Sequence, residues 1–227
     1  LSQDDLAATA RAELALRAVV EDHSLDAFTY QFQAFGEEED AETVPFVGIS
    51  RLMAEGVGFG GEGDIVGAAG TAFLHALQPP ATFSEIFTTD FEGDALFMSH
   101  MGEANPAMHR PDRKPRMALR APITDTVAGQ LVLTVSPEPG PATLFSLAMG
   151  PRKGWRLLAS PTTVVDFVPL DALEVPHFKL SPRGDVRDFL TAYAKAGGPH
   201  HNAVCFGDAR RRLKMAAGLL DAEYLEV

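Results

Sequence analysis

The sequence predicts an α+β protein, in which alternating helices and strands precede an antiparallel β-barrel or sandwich and two further helices. Two observations lead to this fold class. Up to about residue 80, helical and strand patterns alternate, as they do in α/β layers. From Ala81 onward, short strand-forming stretches are separated by Pro and Gly turns, which is typical of antiparallel sheets.

The first part begins with a helical pattern. Residues 3–20 are rich in Ala and Leu at helical spacing, and Ser2 with Asp5 supplies an N-terminal cap. Residues 26–32 alternate aromatic and polar side chains, which predicts a strand. Residues 45–55 predict a short helix. The acid run at 36–42 predicts a solvated surface loop without a site.

The second part is predicted to be mostly strands. They are expected at 82–91, 94–101, 117–121, 129–136, 143–149 and 155–168. Residues 185–196 predict a helix that Gly197 and Gly198 end. A further helix is expected at 209–220 and a last strand at 224–227.

Composition limits the class of protein. The 227 residues are 46% hydrophobic and 22% charged, as in globular proteins, and the net charge of −12 disfavours nucleic acid as a partner. One cysteine, Cys205, excludes an intrachain disulfide. We see no signal peptide and no apolar run long enough to span a membrane, so we expect a soluble, cytoplasmic protein. Because Leu1 begins inside a helical pattern, we expect either a piece of a longer protein or an engineered version of one.

A glycine-rich run, Gly56-Val-Gly-Phe-Gly-Gly-Glu62-Gly-Asp64, precedes a helical pattern at 65–77. Glycine permits tight turns, so the run could present Glu62 at a helix start. The plainer alternative is a helix cap with solvated acids. The run also satisfies G-x-G-x-x-G, but dinucleotide binding requires a preceding strand, and residues 49–55 look helical.

Three other places could carry chemistry: Glu85, His100 and the pair His200-His201. Glu85 shares its strand with Phe83 and Phe87 at period two, so we expect the three on one face. A lone inward histidine such as His100 is most often a hydrogen-bonded core residue. Two carboxylates and two imidazoles together form a set that suits Mn²⁺, Co²⁺ or Zn²⁺, although spacing alone does not show that they converge.

Four motifs occur in order: Glu62-Gly-Asp64; Thr82-Phe-Ser-Glu85 with Phe91-Glu-Gly-Asp94; Ser99-His-Met-x-Glu103-x-x-Pro106; and Gly197-Gly-Pro-His-His201. In this order and at similar separations they resemble L-arabinose isomerases. The resemblance covers nearly the whole chain but only the C-terminal half of that family.

The resemblance implies an aldose–ketose isomerase in which Glu62, Glu85, His100 and His201 hold one divalent metal, usually Mn²⁺. It implies that Glu62 and Glu85 are also catalytic. His200 is then either a residue that contacts the metal ligands without binding the metal, or a residue that contacts the sugar. Met101 is likewise assigned to sugar binding. Family active sites lie between the subunits of a trimer or hexamer, so a homo-oligomer is expected.

The implied fold is the remnant of an α/β (Rossmann-like) central domain at 1–80, followed by an antiparallel β-barrel domain with C-terminal helices at 81–227. We therefore expect residues 1–80 to lack part of a parallel sheet and to leave apolar surface uncovered.

The chemistry agrees with these residue types. Moving a carbonyl from C1 to C2 of a sugar needs an acid/base group and stabilisation of charge on both oxygens. The expected reaction is L-arabinose to L-ribulose or that of a related sugar. Pro199 and Asn202 stand where the family more often has Ala and Thr, which leaves the sugar open. The alternatives are a non-catalytic sugar-binding or regulatory homologue, and an isomerase or epimerase for a different sugar.

Overall fold

The computed structural model describes residues 1–32, 43–121, 130–150, 154–170 and 172–227, so the acid run predicted at 36–42 lies outside the described residues. Within these ranges the α-helices are α1 (Gln3–Asp22), α2 (Phe46–Ala54), α3 (Ile65–Leu77), α4 (Val186–Lys195) and α5 (Arg210–Leu219). The strands are β1 (Ala27–Thr29), β2 (Gly58–Gly60), β3 (Ala81–Asp90), β4 (Ala95–Ser99), β5 (Arg116–Arg120), β6 (Gln130–Thr134), β7 (Gly140–Met149), β8 (Trp155–Val164), β9 (His177–Pro182), β10 (His201–Phe206) and β11 (Glu223–Glu226).

The first part of the chain contains the predicted helices. The Ser2 hydroxyl accepts the Asp5 N–H at the start of α1, and the Asp5 carboxylate accepts the Ser2 N–H. Strand β1 is shorter than predicted and pairs in parallel with β2. The sequence missed β2, because a strand of three residues that includes two glycines carries almost no pattern.

An apolar cavity of about 560 Å³ lies beside this small sheet, between α1 and β1. Side chains such as Ala15, Leu16 and Phe28 line it.

No described helix is long and apolar enough to cross a membrane.

The second part forms the predicted antiparallel barrel. Its strands follow the order β8-β7-β10-β3-β4-β9, and β9 pairs with β8 to close the cylinder. Strand β11 adds to β8 in parallel, and β5 with β6 forms a separate hairpin. The α+β fold class is thus confirmed, as are both C-terminal helices.

Strands β9 and β10 were not predicted, although both belong to the barrel. Strand β9 is bordered by Pro176 and contains Pro182, and proline normally argues against a strand. Strand β10 begins at His201, directly after a turn that contains Gly197, Gly198 and Pro199, and these turn residues gave no strand signal.

Three apolar clusters place the parts relative to one another. Residues such as Leu96, Leu144 and Val204 fill the barrel, and α4 covers it with Phe189. Helices α3 and α5 pack on the outside of the sheet. A third cluster of Ile49, Met53, Phe59 and Phe83 joins α2, β2 and β3. Fully burying each such side chain contributes about 1.5–3 kcal/mol, and the third cluster holds β2, and therefore the start of the loop after it, against β3.

Candidate functional site

The pairing of β3 with β10 places Glu85 and His201 side by side. Glu85 on β3 lies directly opposite His201 on β10 and, on its other side, opposite Ser99 on β4. Residues directly opposite in an antiparallel pair have Cβ atoms about 4.5–5.5 Å apart on one face. His100 follows Ser99 immediately, so three neighbouring strands deliver Glu85, His100 and His201 to one end of the barrel wall.

A β-bulge in β3 interrupts the alternation of side chains just after Glu85. The register of β3 against β4 shifts between Ile86 and Thr88, so Phe87 is an extra residue on β3, and its side chain is 59% exposed. The expectation that Phe83, Glu85 and Phe87 share one face therefore fails at Phe87, because the bulge interrupts the alternation.

The glycine-rich loop between β2 and α3 supplies Glu62. Glu62 and Gly63 both adopt left-handed backbone conformations, with φ of 59° and 81°. This conformation is uncommon for a residue with a side chain and costs about 1–2 kcal/mol, and such strain concentrates at functional sites. The Glu62 carboxylate lies 3.9 Å from Nε2 of His201.

Gly61 allows the loop to lie directly on His100. A Cβ atom at position 61 would stand 2.3 Å from Cε1 and 2.7 Å from Nε2 of the His100 ring. Any other residue would therefore displace either the loop or the imidazole. The same contact leaves no room for a phosphate above Gly61, which argues against the dinucleotide interpretation even though β2 does precede α3.

His201 is held through its Nδ1 atom. That atom lies 3.0 Å from Oδ2 of Asp64, and the ring is only 6% exposed. The other Asp64 oxygen accepts the Gly67 N–H at the start of α3. The His201 hydrogen bond, aided by the helix backbone, lowers the pKa of Asp64. Nδ1 therefore carries the hydrogen, and Nε2, which is buried and has no hydrogen-bond partner among the described residues, keeps its lone pair on the side of Glu62.

His100 repeats this arrangement. Its Nδ1 lies 2.9 Å from Oε1 of Glu103, and both side chains are almost fully buried. Burial lowers the pKa of His100, but the charge and hydrogen bond of Glu103 outweigh it, so the pKa lies above its ordinary value. Nε2 of His100 is also buried, and no described residue forms a hydrogen bond with it. The His100 and His201 rings lie 5.4 Å apart, and each contacts the Phe83 ring edge to face.

His200 completes the centre from the solvent side. Its side chain is 62% exposed, with Nε2 4.0 Å from Oε1 of Glu85 and its ring 4.3 Å from the His201 ring. One ligand atom each from Glu62, His200 and His201 lies within 4.8 Å of the others. Glu85 is not a member of this group, so within the described residues His200 lies at least as close to Glu62 and His201 as Glu85 does.

The residues fit a divalent cation. In the described part of the chain, two buried imidazole nitrogens have no hydrogen-bond partner, and a carboxylate holds the other nitrogen of each ring; this arrangement is typical of metal-binding histidines. The carboxylates of Glu62 and Glu85 could add oxygen ligands, and a mixed O/N set would suit Mn²⁺, Co²⁺ or Zn²⁺.

The structure thus brings together Glu62, Glu85, His100, His200 and His201. Met101 packs elsewhere, against an apolar cluster that includes Phe46 and Val132, and its sulfur accepts a hydrogen bond from Arg120. Its assignment to sugar binding stays a prediction.

Sequence reasoning missed the roles of Asp64 and Glu103. Both stand inside the motifs, two residues after Glu62 and three after His100. A carboxylate three residues from a candidate histidine ligand was the available signal for Glu103.

Comparison with known proteins identifies the family of this chain. Residues 2–78 match the family profile of the L-arabinose isomerase central domain, and residues 80–223 match that of the L-arabinose isomerase C-terminal domain. The chain is 32% identical to L-arabinose isomerase of Phocaeicola vulgatus over 208 residues, which is 87% of this chain and 40% of the relative. It is 29% identical over 228 residues to L-arabinose isomerase of Acidothermus cellulolyticus, covering 97% of this chain and 44% of the relative. The chain spans about two fifths of the length of these relatives, and it belongs to the L-arabinose isomerase family.

Proposed function

We propose that this protein is a metal-dependent aldose–ketose isomerase that converts L-arabinose to L-ribulose or acts on a related sugar. The observation that carries the proposal is the pair of buried imidazoles, His100 and His201, whose Nε2 atoms have no hydrogen-bond partner among the described residues and lie near two glutamates. The names of the relatives, all L-arabinose isomerase, support the choice of reaction.

We assign Glu62, Glu85, His100 and His201 as ligands of one divalent metal, with Mn²⁺ as the expected ion. A bound cation would stabilise the negative charge that develops on the sugar oxygens at C1 and C2. Asp64 and Glu103 each hold one ring through its Nδ1 atom, which leaves both Nε2 lone pairs free to bind a metal. His200, on the exposed side, is placed to contact the sugar or to join the ligands.

Proton transfer falls to the glutamates. In the isomerisation a proton leaves C2 and is delivered to C1, while a hydroxyl proton moves from O2 to O1. Glu62 and Glu85 are partly exposed, so their carboxylates can reach a sugar carbon, whereas the buried Glu103 cannot. We assign the transfer at carbon to one of these two glutamates acting first as base and then as acid.

We also propose the wider organisation of the protein. Residues 1–80 form the C-terminal part of a central domain, and residues 81–227 form the barrel domain. The homo-oligomer is a trimer or hexamer with the active site at the subunit interface, which would cover the exposed His200 side of the centre.

The test is turnover of L-arabinose and other aldoses at saturating Mn²⁺ by the full-length protein and its Glu62→Gln and Glu85→Gln variants. Loss of general-base catalysis costs about 10²–10⁴-fold, so at least one variant should lose turnover by that factor while saturating metal compensates for weaker binding. Glu92→Gln, an exposed change in the same β3–β4 hairpin, is the matched control. Turnover by both active-site variants at the parent rate would refute the mechanism, and sugar binding without any turnover would favour a non-catalytic homologue.

A further inference from the structure

The turn that precedes β10 carries His200, and side-chain donors hold its carbonyl groups. Arg156 donates to the Ala196 carbonyl at 2.6 Å, and the Tyr193 hydroxyl, which shares its single hydrogen among several acceptors, lies 2.8 Å from the Pro199 carbonyl oxygen. The Asn202 amide donates to the His200 carbonyl, which also accepts the Ile86 N–H at 2.8 Å. The backbone that leads into the metal centre is therefore fixed from outside the turn.

Two of these donors belong to a buried polar network of Ser146, Tyr193 and Asn202, on β7, α4 and β10. The Tyr193 hydroxyl lies 2.6 Å from the Ser146 hydroxyl and 2.7 Å from Oδ1 of Asn202, and Ser146 donates to the same oxygen at 2.8 Å. Because the Asn202 NH₂ group faces carbonyl oxygens, its Oδ1 must be the acceptor in this network.

The network is also closely packed against the turn. A Cβ atom at Gly198 would stand 2.3 Å from the Tyr193 ring, so the ring lies directly on the turn backbone. The Gly198 N–H donates to the Tyr193 carbonyl at 3.0 Å. A shift of Tyr193 would therefore move the turn with it.

The His200 ring contrasts with this support. It forms no hydrogen bond within the described part of the chain, and 62% of it is exposed. It nevertheless lies 4.0 Å from Glu85 and in the group with Glu62 and His201. Its position toward the centre thus depends on its backbone rather than on partners of the ring.

We propose that Ser146, Tyr193 and Asn202 act as positioning residues that direct His200 toward the metal centre. This inference rests on the proposed function, since it assigns His200 a part in metal or sugar binding. The network reaches the centre through the backbone of the turn, because the Tyr193 hydroxyl and the Asn202 amide nitrogen contact the Pro199 and His200 carbonyls, and no described hydrogen bond joins the network to Glu62 or Glu85.

The first test is a double-mutant cycle on Mn²⁺ affinity, measured by calorimetry on the purified full-length protein. Tyr193→Phe keeps the ring and removes one hydroxyl, and should weaken Mn²⁺ binding about three- to tenfold. In a His200→Ala background the same change should have no effect, because the residue through which it acts is gone. Tyr224→Phe, which removes a hydroxyl that bonds Glu226 on β11, is the matched control and should leave affinity unchanged. An equal loss in both backgrounds, or no loss in either, would overturn the proposal.

The second test does not need metal. In the metal-free protein, the His200 ring resonance in a ¹H–¹³C spectrum should shift or broaden in both Tyr193→Phe and Ser146→Ala. The exposed His23 on the end of α1 should stay unchanged. A parent that binds no Mn²⁺ would contradict the proposed function alone, whereas an unchanged His200 resonance would contradict the positioning role.

Discussion

Replacement of Gly61 by alanine should damage the centre through one contact. The added Cβ would stand 2.3 Å from Cε1 of His100, about 1 Å closer than an ordinary tight contact. Gly61 does not have a positive φ, so the backbone itself tolerates alanine, and the effect isolates the clash with the ring. Such overpacking typically costs about 1–3 kcal/mol of folding free energy.

The clash should also affect metal binding. A displaced His100 ring would lose its hydrogen bond to Glu103, and loss of such support typically weakens metal affinity by about 10–100-fold. The assay is urea unfolding of the metal-free protein together with calorimetric Mn²⁺ titration. Gly154→Ala, whose added Cβ would meet no atom of the described residues within 4 Å, is the control.

A double variant sharpens this prediction. In a His100→Ala background, the Gly61→Ala change should lose most of its cost in unfolding free energy, because the ring that it strikes is absent. If Gly61→Ala unfolds at the parent urea concentration and binds Mn²⁺ with parent affinity, the loop does not lie on His100 and the reasoning is wrong.

Two further predictions concern charge. Asp64→Asn keeps an N-cap for α3 but removes the carboxylate that holds His201. Mn²⁺ affinity should therefore fall about 10–100-fold, with little change in melting temperature. Unchanged affinity would contradict the role of Asp64 in holding the His201 ring. Arg210 lowers the pKa of Asp208 to about 2 from its ordinary 3.8, so this pair stabilises the fold above about pH 4 and loses its effect as the pH falls through 2. This exposed ion pair stabilises the fold by about 1 kcal/mol or less. The difference in unfolding free energy between the parent and Asp208→Asn should therefore shrink from pH 6 to pH 2. A difference that stays constant over this pH range would contradict the prediction.

Elements with strong local signals were predictable from the sequence. Helix α3 begins after Asp64 and ends at Leu77, as its cap and apolar period indicate. The hairpin of β3 and β4 likewise follows its turn at Glu92-Gly93. Strands β2, β9 and β10 were missed because neighbouring strands, rather than local propensity, hold them in the sheet.

The sequence allowed prediction of the candidate ligands, but not of the carboxylates that hold the histidine rings. Resemblance to one family selected Glu62, Glu85, His100 and His201. The hydrogen bond between His201 and Asp64 joins residues 137 positions apart, so no local pattern could show it. Glu103 was visible three residues after His100, but only burial of both side chains shows that it holds the ring.

The position of a bound metal ion tests the central claim most directly. Crystals of the full-length protein soaked in Mn²⁺ should give an anomalous scattering peak about 2.0–2.4 Å from Nε2 of His201 and from Nε2 of His100, with carboxylate oxygens of Glu62 and Glu85 at similar distances. A peak elsewhere, or none at this centre in protein that binds Mn²⁺ in solution, would contradict the account.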